Sequence, residues 1–396
     1  MFSMPNQHSS YINALGTAVP AYAIPQSKIA EFMADALQFD ERDQRRLQVI
    51  YRQTRIEQRH SVLPDYGLRV GKFTFYPNTP GLEPFPTVGQ RMAIYRTEAT
   101  PLAVKAIQNC LADYPEFDLQ QITHLIVVSC TGLSNPGPDI EILEALDLPS
   151  TTQRLAINFM GCYGAFNGLK TADAIVRADP DAKVLLVSVE LCTLHFQKRT
   201  ETDHLLSNAL FADGAAAVLV EAQPRAERSL RMRTFYCDLL PEGKDEMAWH
   251  VNDHGFEMTL TQEVPTVIRN GIGKLMSRLL EKSGLTIGDI GYYALHPGGR
   301  RILEVIEQQL GLEPEQNRYA YEVLRQYGNM SSATVLFVLT AIWREVLTQG
   351  TADAQPNILS CAFGPGLTLE SMILEMNMTR PERVTSAVSS ASVPVS

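Results

Sequence analysis

Three residues in this 396-residue chain have the types and settings for acyl-transfer chemistry: Cys162, His296 and Asn329. Cys162 lies in NFMGCYGAFNGLK, where a strand-like run ends at Phe159 and a helical pattern begins directly after the cysteine. A thiol at a helix N-terminus feels the positive end of the helix dipole and its unpaired N–H groups, so its pKa is expected to fall. The flanking Gly161 and Gly164 allow a sharp turn and the close approach of an acyl group. His296, in YYALHPGGRRIL, ends an apolar strand and enters a Pro-Gly-Gly turn. An imidazole there can stabilise a thiolate as imidazolium or donate to a developing oxyanion. Asn329, in RQYGNMSSATVLFVL, follows Gly328 and opens a helical pattern. Its amide is an uncharged donor of the kind that an enolate or thioester oxygen needs. Each residue alone also has a plainer reading: a packed core cysteine, a turn histidine in water, and a helix N-cap. Their joint occurrence points to a Cys-His-Asn site.

Such a site needs strand ends and helix starts to carry it, and the chain supplies both. The runs at 124–130, 154–159, 182–190, 215–221, 290–296, 357–363 and 367–375 read as buried strands. Helical patterns follow many of them, as in YGAFNGLKTADAIVRA, RRILEVIEQQLGL and SSATVLFVLTAIWREVL. This alternation predicts an α/β fold. The pattern also repeats. HLIVVSCTG resembles GYYALHPGG in form, Cys162 follows Cys130 by 32 residues, and Asn329 follows His296 by 33. Two similar βαβ-type halves are expected, 1–225 and 226–380, with Cys162 and Asn329 at equivalent helix N-termini. Residues 67–90, rich in Pro and Gly, are expected to form a long surface loop. Residues 381–396, rich in Ser, Val and Pro, are expected to be a disordered tail.

Four motifs, GCYGA at 161–165, HPGG at 296–299, YGNMSS at 327–332 and FGPGLT at 363–368, stand in an order and spacing that resemble the chalcone synthase-like, or type III polyketide synthase, family. The resemblance covers about 10–380 and implies the thiolase fold, a five-layered αβαβα arrangement of two similar halves. It implies an acyltransferase that loads an acyl-CoA starter on Cys162 and extends it by decarboxylative Claisen condensation with malonyl-CoA. His296 and Asn329 would hold the malonyl thioester carbonyl as CO2 leaves. It also implies a homodimer and no metal or other cofactor. Phe211 matches the family's gatekeeper between CoA tunnel and pocket, although a core aromatic is an equal reading. Phe363 resembles the second gate residue, and Ser331 and Pro365 belong to the matching pocket segments. CoA phosphates would be met by Arg46, Arg52 and Arg55, and Gly298 and Gly299 would also belong to the CoA-binding set. Gln53 and Val49 stand where plant members carry Lys and Arg. In the pocket Trp249 replaces a glycine and Met258 a phenylalanine. Cys130, Cys192 and His195 replace threonines, and Asn135 replaces a methionine that reaches the partner subunit's pocket. These departures turn the expected product from a flavonoid to an alkylpyrone or alkylresorcinol, with a long cavity blocked by Trp249 as an equal reading.

Composition narrows the alternatives. The formal net charge of −10 disfavours a nucleic-acid binder, which needs a basic face. The six cysteines are scattered and form no CxxC pair, so neither a zinc site nor a disulfide framework is expected. The N-terminus lacks a secretory pattern and no apolar run approaches a membrane span, so a cytoplasmic setting is expected. The nearest rival is a condensing enzyme like β-ketoacyl-ACP synthase III, whose histidine sits in an HQAN-like segment rather than HPGG. A cysteine hydrolase, and a thiolase-fold binding protein that has lost part of the triad, stand further off.

Overall fold

The computed structural model describes residues 9–225, 228–349 and 356–378. The expected tail over 381–396 lies outside the described residues. In chain order the elements are β1 (Tyr11–Ala18), β2 (Tyr22–Pro25), α1 (Gln26–Ala36), α2 (Glu41–Gln53), β3 (Gln58–Ser61), α3 (Val88–Leu111), β4 (His124–Ser129), α4 (Pro138–Ala145), β5 (Gln153–Asn158), α5 (Gly164–Ala178), β6 (Val184–Leu191), α6 (Thr202–Leu210) and β7 (Asp213–Glu221). They continue with β8 (Arg228–Leu239), β9 (Met247–Asn252), β10 (Gly255–Leu260), α7 (Val264–Ser283), β11 (Ile290–Leu295), α8 (Arg300–Leu310), α9 (Arg318–Tyr327), α10 (Thr334–Gln349), β12 (Asn357–Gly364) and β13 (Thr368–Met378).

Nine strands line up as β11-β12-β13-β8-β1-β7-β6-β4-β5, and β2/β3 and β9/β10 form separate hairpins. The order contains a repeat. In β1-β7-β6-β4 the successive pairings are antiparallel, antiparallel and parallel, and in β8-β13-β12-β11 they are the same. The two sets pair at Tyr11↔Arg231 and Ile12↔Leu230. Strand periodicity explains the layering. Leu125, Val127, Leu185 and Val187 face a core with Tyr95, Ala99, Ala103 and Ile107 of α3. Their neighbours Ile126, Val128, Val184 and Leu186 face the opposite core, with Phe166, Leu169 and Val176 of α5. Each such burial contributes about 1.5–3 kcal/mol relative to exposure, which is why strands covered on both faces are almost wholly apolar. The two polar residues of β6, Ser188 and Glu190, are the exceptions. On the other side α10 packs against β11 and β12 as well as β1 and β7, and α7 packs against β8 and β13. The result is α3, sheet, α5 and α10, sheet, α7.

One expectation needs refining and another needs correction. Residues 67–90 are the expected irregular and mostly exposed segment, but it is anchored to the body. Phe73, Tyr76, Leu82 and Phe85 are buried, and Tyr76 and Phe85 pack with Phe32 and Phe196 in one aromatic cluster. The buried carboxylate of Asp65 makes this possible, because it accepts from the backbone N–H groups of Thr74, Phe75 and Tyr76 and so satisfies chain that has no sheet partner. Cys162 and Asn329 are not equivalent. A 3-10 turn over Gly161–Tyr163 precedes α5, and its counterpart over Ser331–Ala333 precedes α10. Both turns open on a left-handed residue, Gly161 at φ +76° and Ser331 at φ +49°. Cys162 therefore matches Ser332, and Asn329 lies three residues earlier in the repeat. Counting from the strand ends missed this because the second half has a longer connection into its turn.

Candidate active site

Cys162 sits in the 3-10 turn between β5 and α5. Gly161 permits that turn, since its φ suits glycine and a Cβ there would lie 2.4 Å from Cδ of Pro365. His296 follows β11, its N–H donating to the Cys361 carbonyl at 2.9 Å. Asn329 is held through its backbone to α6, with its N–H donating to Leu210 O at 2.9 Å and its carbonyl accepting from Ala212 N at 2.8 Å. All three side chains are buried and line one cavity of about 30 Å³ with Cys130, Cys192, Phe211, Trp249, Met258, Gly298, Ser331, Phe363 and Pro365. That is room for one or two waters, so acyl groups must fit along its walls.

Within the cavity the hydrogen bonds assign roles. Asn329 Oδ1 accepts from Ser331 N at 2.9 Å and lies 4.0 Å from Cys162 Sγ. Its Nδ2 donates to Gly298 O at 3.3 Å, which leaves a second N–H for an oxygen in the cavity. His296 is wholly buried, yet neither ring nitrogen has a hydrogen-bond partner among the described residues. Its ring meets Phe363 edge-on at 5.3 Å. A buried imidazole without partners is costly and is kept where chemistry uses it.

Electrostatics depart from the helix-dipole expectation. Burial pushes the Cys162 thiol up to about 12 and pulls His296 down to about 3. Burial outweighs the dipole because both side chains are almost wholly removed from solvent. Burial thus favours the neutral form of both residues.

The remaining predicted residues fall around this centre. His195 is buried in an adjoining cavity and has both nitrogens engaged, Nε2 with Thr131 O at 2.7 Å and Nδ1 accepting from Phe256 N at 3.0 Å. Cys192, Phe211, Trp249 and Met258 line both cavities and so form the wall between them. Asn135 is exposed and lines neither. A groove of about 420 Å³ shares Leu260, Gly298 and Ile302 with the catalytic cavity and also contains Gly299. Arg46, Arg52 and Arg55 are not among its lining residues. Arg46 reaches Thr202, which is, and Arg52 bonds Gln48 O within α2.

Sequence reasoning passed over Glu190. This buried carboxylate accepts from Cys130 N and Thr131 Oγ1, both at 2.9 Å, and from Ser332 Oγ, tying β6 to the turns that carry the site. Burial raises it to about 7. The available signal was a glutamate inside an otherwise apolar strand.

Two family models match, "Chalcone and stilbene synthases, N-terminal domain" over residues 3–224 and the corresponding C-terminal domain over 231–377. The chain belongs to the type III polyketide synthase family. It is 31% identical over 92% of its length to 91% of the alpha-pyrone synthesis polyketide synthase-like Pks18 of Mycobacterium tuberculosis. It is 30% identical to a putative chalcone synthase of Bacillus subtilis, covering 92% of this chain and 98% of that one. Among solved structures, PKS-I of the brown alga Ectocarpus siliculosus superposes with a TM-score of 0.86 at 28% identity, over 94% of this chain and all of that one. The fold is thus the thiolase fold of type III synthases, and the enzyme is an acyltransferase of that kind. Among the described residues no helix is long and apolar enough to cross a membrane, and no group of three His, Cys, Asp or Glu is placed to hold a metal ion.

Proposed function

We propose that this type III synthase loads an acyl-CoA starter on Cys162, extends it with malonyl-CoA and closes the chain to an alkylpyrone, with an alkylresorcinol as the alternative cyclisation. The observation that carries the reading is His296, buried with two free nitrogens in the cavity that holds Cys162 and Asn329. His296 takes the Cys162 proton as sulfur attacks the starter thioester, then returns it to the departing CoA thiol. Malonyl-CoA next loses CO2, and its enolate oxygen is held by His296 and the free Nδ2–H of Asn329. The enolate carbon attacks the Cys162 thioester, and the thiolate leaves. The extended chain, now on CoA, reloads or closes by attack of an enol oxygen on its own thioester, which releases CoA. These steps use only the two thioesters. The alkyl part of the starter would run beside Cys192, Phe211, Trp249 and Met258. The pyrone reading also draws on the similarity to a relative named for alpha-pyrone synthesis.

The test is incubation with radiolabelled malonyl-CoA and a series of acyl-CoA starters, with Cys162→Ala as control. Alkylpyrones absent in the control are expected. Turnover only with acyl carrier protein thioesters would move the reading to a β-ketoacyl-ACP synthase III-like enzyme.

The acting form is proposed to be a homodimer. β5 ends the sheet with its residues almost all exposed, and Leu155 and nearby Leu133 are 42% and 45% accessible. An open edge and exposed leucines invite a second copy. Sedimentation velocity at micromolar concentration should show a dimer that Leu155→Lys shifts to monomer. A monomeric wild type would refute it.

A further inference from the structure

The expected phosphate-binding arginines on and after α2 do not line the groove that adjoins the catalytic cavity, and the structure offers another. The groove's charged lining residues are Arg300, Arg301 and Glu304, all on α8. In a chain of net charge −10 this is a locally positive wall, which suits an anionic ligand. Arg300 is already paired, its Nε 2.7 Å from Glu304 Oε1. Arg46 is committed to Thr202 Oγ1 at 2.6 Å. Arg301 is exposed and has no hydrogen bond or ion pair among the described residues. Its chain neighbour Ile302 lines both the groove and the catalytic cavity, so the two spaces adjoin there. At about 420 Å³ the groove has the size of a small-molecule site.

We propose that Arg301 recognises the phosphates of the CoA thioester and so sets the preference for CoA substrates over thioesters that lack them. The inference rests on the CoA-dependent reading above and assigns the contact to α8 in place of Arg52 and Arg55 on and after α2. An arginine fork is suited to this task, since it donates two parallel bonds to a phosphate. The rest of the groove is uncharged or apolar apart from the Arg300–Glu304 pair and suits the pantetheine arm.

The experiment compares malonyl-CoA, malonyl-dephospho-CoA and the malonyl thioester of N-acetylcysteamine, in wild type, Arg301→Ala and Arg301→Lys. Arg301→Ala should raise KM for malonyl-CoA about five- to tenfold with kcat nearly kept, and Arg301→Lys should recover part of the loss. The kcat/KM preference for malonyl-CoA over the N-acetylcysteamine thioester should narrow by the same factor. An equal rise for the dephospho thioester would place the contact at the pyrophosphate, and a rise for malonyl-CoA alone at the 3′-phosphate. An unmoved preference in an active, folded variant overturns the assignment. A wild type that turns over the N-acetylcysteamine thioester but no CoA thioester overturns the assignment and the CoA reading together.

Discussion

His296→Gln is expected to slow alkylation of Cys162 by iodoacetamide at pH 7 at least about 100-fold, and to change the shape of its pH profile. In the mechanism proposed above, the proton of Cys162 passes to His296 inside the cavity. The reactive thiolate then exists as half of a neutral pair, and its fraction varies little across neutral pH. Glutamine cannot take that proton. The isolated thiol, pushed up toward about 12 by burial, then ionises only by losing its proton to solvent. Its alkylation should climb about tenfold per pH unit from pH 7 to 10, because the folded pKa lies above that whole window. Parallel profiles in the two proteins would defeat the proton-transfer account. The same variant should lower malonyl-CoA decarboxylation about 10²–10³-fold, the usual effect of losing one enolate donor, and Asn329→Ala should do likewise. Cys162→Ala should keep CO2 release while abolishing condensation, since the enolate is held by the other two residues.

The readable parts of this molecule were those that local chemistry dictates. Strands such as β6 and β7 are apolar because helices cover both faces, and that leaves a period a sequence displays. Cys162, His296 and Asn329 could be singled out because each sits where a Gly turn meets a strand or helix end. Less readable features depend on contacts far apart in the chain. How 67–90 is anchored depends on Asp65 and the aromatic cluster around Phe32, which composition does not reveal. The helix dipole at Cys162 is a local property, whereas the burial that opposes it is supplied by Pro365, Phe363 and Trp249 from later in the chain. Basic residues on α2 drew notice because they cluster, yet Arg301 lies beside the groove because α8 starts where His296's turn ends.

Trp249→Gly is expected to raise the kcat/KM preference for decanoyl-CoA over acetyl-CoA at least about tenfold. Trp249 stands between the cavity that holds Cys162 and the adjoining one under α1 and α6. Its indole Nε1 donates to the Cys130 carbonyl at 2.7 Å, and its ring meets His195 and Phe256 edge-on, so it is held as a fixed wedge. An acyl chain growing from Cys162 meets this ring before it can enter the second space. Removing the indole joins two volumes whose shared walls are otherwise Cys192, Phe211 and Met258. Each methylene then buried is worth about 0.8 kcal/mol, so two extra methylenes in contact already exceed the predicted tenfold change. Some stability will be lost, because Cys130 O loses its donor and the ring its contacts, and thermal unfolding separates that loss from the change in preference. Trp249→Phe gives the second arm, since it keeps a wedge but not the hydrogen bond. If the wedge limits chain length, the phenylalanine variant should stay close to wild type and only the glycine variant should shift its preference toward the long starter. Equal preferences in all three proteins would show that the acyl chain leaves Cys162 by another route.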